Sequence, residues 1–344
     1  MAVTIKDIAK MCGVSTTTIS RVINGKFEGV GDETRERIIL KMKELHYQPN
    51  GVARSMVTKK TNTIALLVPD ICNPFFPELA RGAEDVCTSN GFSLFLCNTD
   101  GDLVKEQQYI KSLRERLVDG IIFTTQNNEE YHEIFTKMLG EQYPFVFVER
   151  YADQLNEVPG VFIDNVQGAY SAVKHLINLG HKNIAFISGP FVTSNARMRF
   201  LGYQQAMLES NLDINYNLVK EGDYKVSGGY AAMQSFLEKY PGQFSAVFAS
   251  NDLMAFGVYQ AAREFGLKIP EDMSIMGFDN IPFPKVLEPK VTTVDIPSYE
   301  IGASAARMIL DLINRIPLEK NQVTFPLQLV EKGSTCKAKS ESAL

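Results

Sequence analysis

Short hydrogen-bonding side chains cluster near the amino terminus of this 344-residue chain. Thr16, Thr17 and Thr18 follow one another, and Arg21 comes about one helical turn later. Hydroxyl groups at the start of a helix, followed by a guanidinium, can hydrogen-bond to base edges in the major groove of DNA. A helical hairpin that only packs against its neighbours is the alternative interpretation.

Two short helices joined by a glycine turn are predicted to position these side chains. Apolar residues recur at helical spacing on both sides of Gly13: Ile5, Ile8, Ala9 and Cys12 before it, and Val14, Ile19, Val22 and Ile23 after it. Gly13 can take the left-handed backbone angles that end a helix. Thr4 and Ser15 are expected to cap the two helices, and Asp32 to cap a third that runs to about Leu45. This pattern predicts a helix-turn-helix.

Composition and charge indicate a cytoplasmic protein with a DNA-facing end. Residues 1–60 contain 11 basic and six acidic residues, a net charge of +5, whereas the whole chain carries −5. A basic end on an acidic body suggests that this end meets a polyanion. No apolar run is long enough to span a membrane, and the first residues, 1–7, lack the charged-then-apolar pattern of an export signal. The five cysteines and four histidines are scattered, so we expect no metal site and no cofactor.

From Asn62 onward, short apolar runs alternate with amphipathic ones, which predicts an α/β core of doubly wound parallel sheets. Of nine predicted strands, the first four are assigned to one sheet and the next four, starting with Val161–Ile163, to a second. The predicted domains are a DNA-binding domain (1–49), a hinge helix and linker (50–61), a core (62–331) and a polar tail (332–344). Within the core, one lobe takes about 62–160 plus 292–321, and the other about 161–291 plus 322–331.

Ligands of doubly wound sheets bind beyond the carboxyl ends of the strands. Aromatic, amide, carboxylate and guanidinium side chains follow the predicted strands, and the candidates for ligand binding are Asn73, Phe75, Phe76, Glu149, Arg150, Arg197, Asn251, Phe278, Asp279 and Asp295. Aromatic faces and paired polar groups suit a polyhydroxylated ligand. Taken one by one, these residues could equally be turn, cap or surface residues. No nucleophile elbow, phosphate loop or dinucleotide fingerprint is present, so we do not expect an enzyme.

Between Val3 and Val330 the chain resembles bacterial transcription regulators of the LacI (lactose repressor) family. The resemblance rests on the segments 4–9, 13–15, 18–24 and 47–54, and in the core on Gly180–Ala185 and Gly277–Asp279. It implies a three-helix DNA-binding domain, a hinge helix and a two-lobed core like that of periplasmic binding proteins. It also implies a homodimer on double-stranded operator DNA.

The resemblance also implies site residues. Thr16, Thr17 and Arg21 match base-reading positions, and residues 50–57 match a hinge helix that wedges an apolar side chain, here Met56, into the minor groove. The full set of predicted DNA-binding residues is Thr4, Ser15, Thr16, Thr17, Thr18, Ser20, Arg21, Asn24, Asn50, Ala53, Arg54 and Met56. In the core, Arg197, Asn251 and Asp279 match ligand-binding positions. The segment after Glu331 has no leucine heptad, so a dimer is expected.

The sequence therefore predicts a repressor of carbohydrate-utilisation genes that responds to a small sugar or sugar acid. A nucleobase or a partner protein as effector is an open alternative. A sugar-binding transport protein would explain the core equally well, but residues 1–57 argue against it.

Overall fold

The computed structural model describes residues 3–47, 60–124, 132–149, 158–282 and 288–339. The chain divides into two compact units, Met1–Thr61 and Asn62–Leu344. Within the described residues, no helix combines the length and the apolar character needed to cross a membrane.

The first unit contains three helices, α1 (Ile5–Cys12), α2 (Thr16–Ile23) and α3 (Asp32–Glu44). One residue from each helix, namely Ile8, Ile19 and Ile38, is completely buried in a shared core. Gly13 ends α1 with φ of 64°, as predicted. The prediction that Asp32 caps α3 is wrong: Gly31 occupies the cap position, and Asp32 is the first helical residue.

The second unit is built on two parallel sheets. The first has six strands in the order β11-β5-β4-β3-β1-β2, and the second has four in the order β7-β6-β8-β9. A third, antiparallel pair joins β10 to β12. The strands are β1 (Thr63–Val68), β2 (Ser93–Asn98), β3 (Gly120–Phe123), β4 (Phe145–Val148), β5 (Gly160–Ile163), β6 (Ile184–Ser188), β7 (Val219–Glu221), β8 (Ala246–Ala249), β9 (Ser274–Met276), β10 (Thr293–Asp295), β11 (Gln322–Phe325) and β12 (Gln328–Val330).

Helices cover both faces of each sheet. They are α4 (Phe75–Ser89), α5 (Leu103–Glu115), α6 (His132–Gly140), α7 (Asn165–Asn178), α8 (Ser194–Glu209), α9 (Val226–Lys239), α10 (Asp252–Glu264) and α11 (Ser298–Ile313). Helices α4 and α11 pack on one face of the first sheet, and α5 and α6 on the other. A Cβ atom on Gly302 would lie 1.9 Å from the carbonyl oxygen of Leu79, so only glycine permits the close approach of α4 and α11.

The sheets do not divide where the sequence placed the boundary. Strand β5 pairs with β4, and β11 pairs with β5, so residues 160–163 and 322–325 belong to the first sheet. Assigning Val161–Ile163 and residues 322–325 to the second lobe was therefore wrong. Each of these strands has only four residues, so pattern alone could not show which sheet they join.

Residues 332–339 were predicted to be part of a polar tail but pack against the second sheet. The side chain of Ser334 is completely buried; it donates a hydrogen bond to the carbonyl oxygen of Ile275 (2.5 Å) and accepts one from the amide of Thr292 (2.7 Å). His181 is also buried, and its Nε2 atom lies 3.0 Å from the carbonyl oxygen of Cys336. Small polar residues here satisfy buried backbone groups, which explains a polar composition inside a packed segment.

Candidate functional site

At the start of helix α2, some of the predicted DNA-binding side chains cap the helix and others face solvent. The hydroxyl of Ser15 accepts a hydrogen bond from the amide of Thr18 (3.1 Å) and lies 2.9 Å from the Thr18 hydroxyl. Thr16 and Thr17 are exposed, and their hydroxyls bond to no other described residue. Ser15 and Thr18 therefore shape the helix start, and Thr16 and Thr17 face solvent.

Two other predicted DNA-binding residues make contacts within the unit. Arg21 Nη1 donates to the carbonyl oxygen of Glu28 (3.1 Å), in the loop between α2 and α3. Asn24 Nδ2 donates to the carbonyl oxygen of Ser20 (2.8 Å) at the end of α2. Arg21 is exposed, so its remaining guanidinium N–H groups can still reach a base or phosphate.

Thr4, at the other end of the unit, caps α1 reciprocally with Asp7: its hydroxyl accepts from the Asp7 amide, and its own amide donates to the Asp7 carboxylate (2.9 Å). The predicted residues Asn50, Ala53, Arg54 and Met56, and with them the hinge helix, lie outside the described residues.

In the second unit, a cavity of about 220 Å³ lies at the carboxyl ends of the strands of both sheets. Six predicted ligand-binding residues line it: Asn73, Phe75, Phe76, Glu149, Asn251 and Asp279. The rings of Phe75 and Phe76 stand edge to face with their centres 5.0 Å apart. The sequence predicted these six residues because each one follows closely after a strand, where ligands of doubly wound sheets bind.

An arginine that was not predicted forms the polar centre of this pocket. Arg199, only 4% exposed, donates from Nε to Asn165 Oδ1 (2.8 Å) and from Nη1 to the carbonyl oxygen of Ser250 (2.5 Å). Its guanidinium carbon lies 3.9 Å from the ring centre of Phe278. Its Nη1 atom lies 3.6 Å from Asp279 Oδ1. Among the described residues, Arg199 Nη2 and the Asp279 carboxylate have no hydrogen-bond partner, which leaves a donor and an acceptor side by side.

Glu149 and Asn251 line the cavity but are already engaged. The carboxylate of Glu149 accepts from the amide of Ile163 (2.6 Å) and from Asn165 Nδ2 (2.7 Å). Asn251 caps α10 by accepting from the amide of Met254 (2.9 Å) and donates to the carbonyl oxygen of Tyr224 (3.0 Å). These two residues shape the pocket and hold its walls together.

Three predicted ligand-binding residues lie elsewhere. Arg197 is exposed and donates to the carbonyl oxygens of Phe191 (2.8 Å) and Val192 (2.9 Å). Phe278 is completely buried beneath Arg199, and Asp295 accepts from Asn280 Nδ2 (2.6 Å). Arg150 lies outside the described residues. Positions 197 and 199 differ by about 200° around a helix, so a choice two residues away selects the opposite face.

Backbone strain and buried charge both concentrate at this pocket. Four lining residues that are not glycine have positive φ: Asp100, Glu149, Tyr224 and Asp279. Such conformations cluster at binding sites. Burial raises the pKa of Asp279 well above its ordinary value, and Arg199 opposes that shift. Burial raises the pKa of Asp252, which lies behind the pocket wall, to about 7.

Comparison with known proteins identifies the two units. Residues 4–50 match the family described as bacterial regulatory proteins, lacI family, and residues 61–332 match periplasmic binding proteins and sugar binding domain of LacI family. The chain is 37% identical over 337 residues to HTH-type transcriptional regulator RegA of Clostridium saccharobutylicum, covering 97% of this chain and 100% of that protein. It is 38% identical to the ribose operon repressor of Halalkalibacterium halodurans over 334 residues, covering 96% and 97%.

Among solved structures, a LacI family transcriptional regulator from Enterococcus faecium with bound ribose is similar, with a TM-score of 0.70. It shares 32% identity and covers 80% of this chain and 100% of its own. The helix-turn-helix and the two-sheet core define a DNA-binding transcription regulator. The chain belongs to the LacI family of bacterial regulatory proteins.

Proposed function

We propose that this regulator represses carbohydrate-utilisation genes and that a neutral monosaccharide, bound in the 220 Å³ pocket, controls its operator binding. The main observation behind the sugar ligand is the position of Arg199 beside Asp279 at the pocket wall. A guanidinium donor beside a carboxylate acceptor matches two neighbouring hydroxyls of a sugar, each of which both donates and accepts. Phe75 and Phe76 supply apolar surface for the C–H faces of a sugar ring.

The charges around the pocket favour a neutral effector over a sugar acid. Its described lining contains five carboxylates, from Asp70, Asp100, Glu149, Asp223 and Asp279, and two cations, from Arg199 and Lys225. The carboxylate of a sugar acid would have to enter against this excess of negative charge. A neutral polyol meets no such repulsion.

The size of the pocket favours a single sugar ring. A volume of 220 Å³ corresponds to about seven water molecules at roughly 30 Å³ each. The relatives support the same class of ligand, since one is named a ribose operon repressor and another was solved with ribose.

Control of DNA binding requires a second copy of the chain. We propose a homodimer in which two α2 helices contact the half-sites of a near-palindromic operator. Effector binding then shifts the population of the dimer toward one arrangement of its core, which changes operator affinity. The surface we assign to the partner copy is β2, an edge strand with Phe95 49% and Leu96 43% exposed.

The test is a thermal-shift panel of D-ribose, D-glucose, D-gluconate and hypoxanthine on the full-length protein, followed by operator binding with each compound that stabilises it. The proposal expects a neutral sugar to raise the melting temperature and change operator affinity. Stabilisation by gluconate alone would contradict the charge argument, and stabilisation by hypoxanthine alone would favour a nucleobase effector. Operator affinity should also fall steeply as salt is raised.

A further inference from the structure

The loop that carries Asp279 into the pocket is strained. Asp279 has φ of 113° and the next residue, Asn280, has φ of 61°. Two consecutive L-residues in left-handed conformations are unfavourable, and they persist only where surrounding contacts offset that cost. Something outside the loop must therefore keep the Asp279 carboxylate at the cavity.

Buried hydrogen bonds hold the backbone of this loop on either side of Asn280. The amide of Asp279 donates to the carbonyl oxygen of Val294 (2.9 Å). The amide of Ile281 donates to Asp252 Oδ2 (3.0 Å), while Asp252 Oδ1 accepts from the Thr293 hydroxyl (2.6 Å). These contacts fix the two ends of the strained turn but leave the Asn280 side chain to be held separately.

The Asn280 side chain is held from both directions. Its Nδ2 donates to Asp295 Oδ1 (2.6 Å), and its Oδ1 accepts from Lys332 Nζ. Lys332 comes from the packed segment 332–339, 52 residues later in the chain. The backbone amide of Lys332 donates to the Thr292 hydroxyl (3.1 Å), which places the start of that segment beside β10.

The ammonium of Lys332 also lies among acidic groups. Partial burial lowers its pKa, while Asp252 and Asp295 oppose that shift. Lys332 is not among the residues that line the cavity, and it contacts Asn280 and Thr292 in the support of the loop. We propose that Lys332 is a positioning residue for effector binding, because it fixes Asn280 and so holds the Asp279 carboxylate toward the pocket. This inference rests on the proposed function of the pocket.

The first test measures the loop in the ligand-free, full-length protein, by hydrogen exchange at the amides of Asp279 and Ile281. Lys332→Met should speed exchange by about tenfold or more, because the turn loses one of its restraints. Lys332→Arg, which keeps the charge, should stay within about threefold of the parent protein. Lys339→Met is the matched control, since Lys339 lies on the same segment but pairs with Asp272 (2.6 Å). Unchanged exchange in Lys332→Met would overturn the proposal.

A second variant shows whether Lys332 acts through Asn280. Glycine adopts φ of 61° without strain, so Asn280→Gly removes the side-chain contact and keeps the turn. If Lys332 acts through Asn280, adding Lys332→Met to Asn280→Gly should not speed exchange further. Fully additive effects would contradict the proposal.

A ligand titration separates this inference from the proposed function. With D-ribose as the probe, Lys332→Met should weaken binding by about tenfold, and Lys332→Arg should restore it. If ribose and the rest of the panel fail to bind the parent protein, the proposed function fails, while the exchange data still decide whether Lys332 holds the loop. If ribose binds both Lys332→Met and the parent equally, Lys332 has no part in effector binding.

Discussion

The Nη1 atom of Arg199 lies 3.6 Å from Oδ1 of Asp279, so a guanidinium from α8 meets a carboxyl group from the loop after β9 at the pocket wall. The Arg199 guanidinium opposes the rise in the pKa of Asp279 that burial causes, because an unpaired buried charge is strongly disfavoured. The pair gives the pocket a fixed donor and a fixed acceptor, and its position distinguishes Arg199 from its neighbour Arg197.

Exchanging each of these two arginines for lysine should separate their roles. Arg199→Lys keeps the charge but loses the planar fork, so affinity for the effector should fall at least about tenfold. Arg197→Lys, on the exposed face of α8, should leave affinity unchanged. Calorimetric titration with the sugar identified in the panel measures both. Loss of binding in Arg197→Lys alone would mean that the pocket has been misassigned.

Arg21→Ala should weaken operator binding by about 1–3 kcal/mol and relax discrimination at one base position. The reason is that α2 presents Arg21 beside Thr17 on its exposed side. Lys26→Ala, in the loop after α2, removes an exposed charge of the same sign and serves as the control; any loss there should be equal for all sequences. Binding assays on operators with single base changes distinguish the two patterns. A uniform loss for Arg21→Ala would indicate a phosphate contact.

The raised pKa of Asp252 predicts a pH dependence of stability. The folded protein holds this proton up to about pH 7, whereas the unfolded chain releases it near pH 3.8. The stability from this group is therefore fully present below pH 3.8 and is lost as pH rises through about 7, with a slope of at most about 1.4 kcal/mol per pH unit.

Asp252→Asn should reduce the dependence of the free energy of unfolding on pH, as measured by urea unfolding between pH 4.5 and 8. The amide cannot accept from both the Thr293 hydroxyl and the Ile281 amide as the carboxyl group does, so some stability should be lost at every pH. A variant profile parallel to that of the parent protein would show that another group titrates.

Phe95→Asp should weaken self-association by at least about tenfold, because a charge at the centre of an apolar interface must be desolvated. Val104→Asp, at a position 62% exposed on α5, is the control and should not change it. Sedimentation at several protein concentrations measures both. If Phe95→Asp and Val104→Asp weakened self-association equally, β2 would not be the surface through which two copies associate.

The sequence predicted those features that depend on neighbouring residues. The cap at Ser15, the glycine turn at Gly13 and the pocket residues Asn73 and Asp279 all follow from local pattern or from the position just after a strand. Features that depend on distant contacts were missed. Nothing near Ser334 in the sequence shows that it lies against Ile275 and Thr292.

Arg199 was missed for a different reason. Arg197 and Arg199 lie two positions apart on α8, and this helix has no strong division into apolar and polar faces from which a burial direction could be predicted. Only the three-dimensional position of Asn165 and Ser250 shows which guanidinium turns inward.

The pairing of β11 with β5 has a consequence for how the protein is made. Gln322 lies beside Gly160, about 160 residues earlier in the chain, so one side of β5 has no partner strand until β11 has been synthesised. Contacts between residues so far apart in the sequence slow folding. The six-stranded sheet therefore cannot be completed before β11 has been synthesised, whereas the three helices at the amino terminus find all their shared core residues within the first 47 residues.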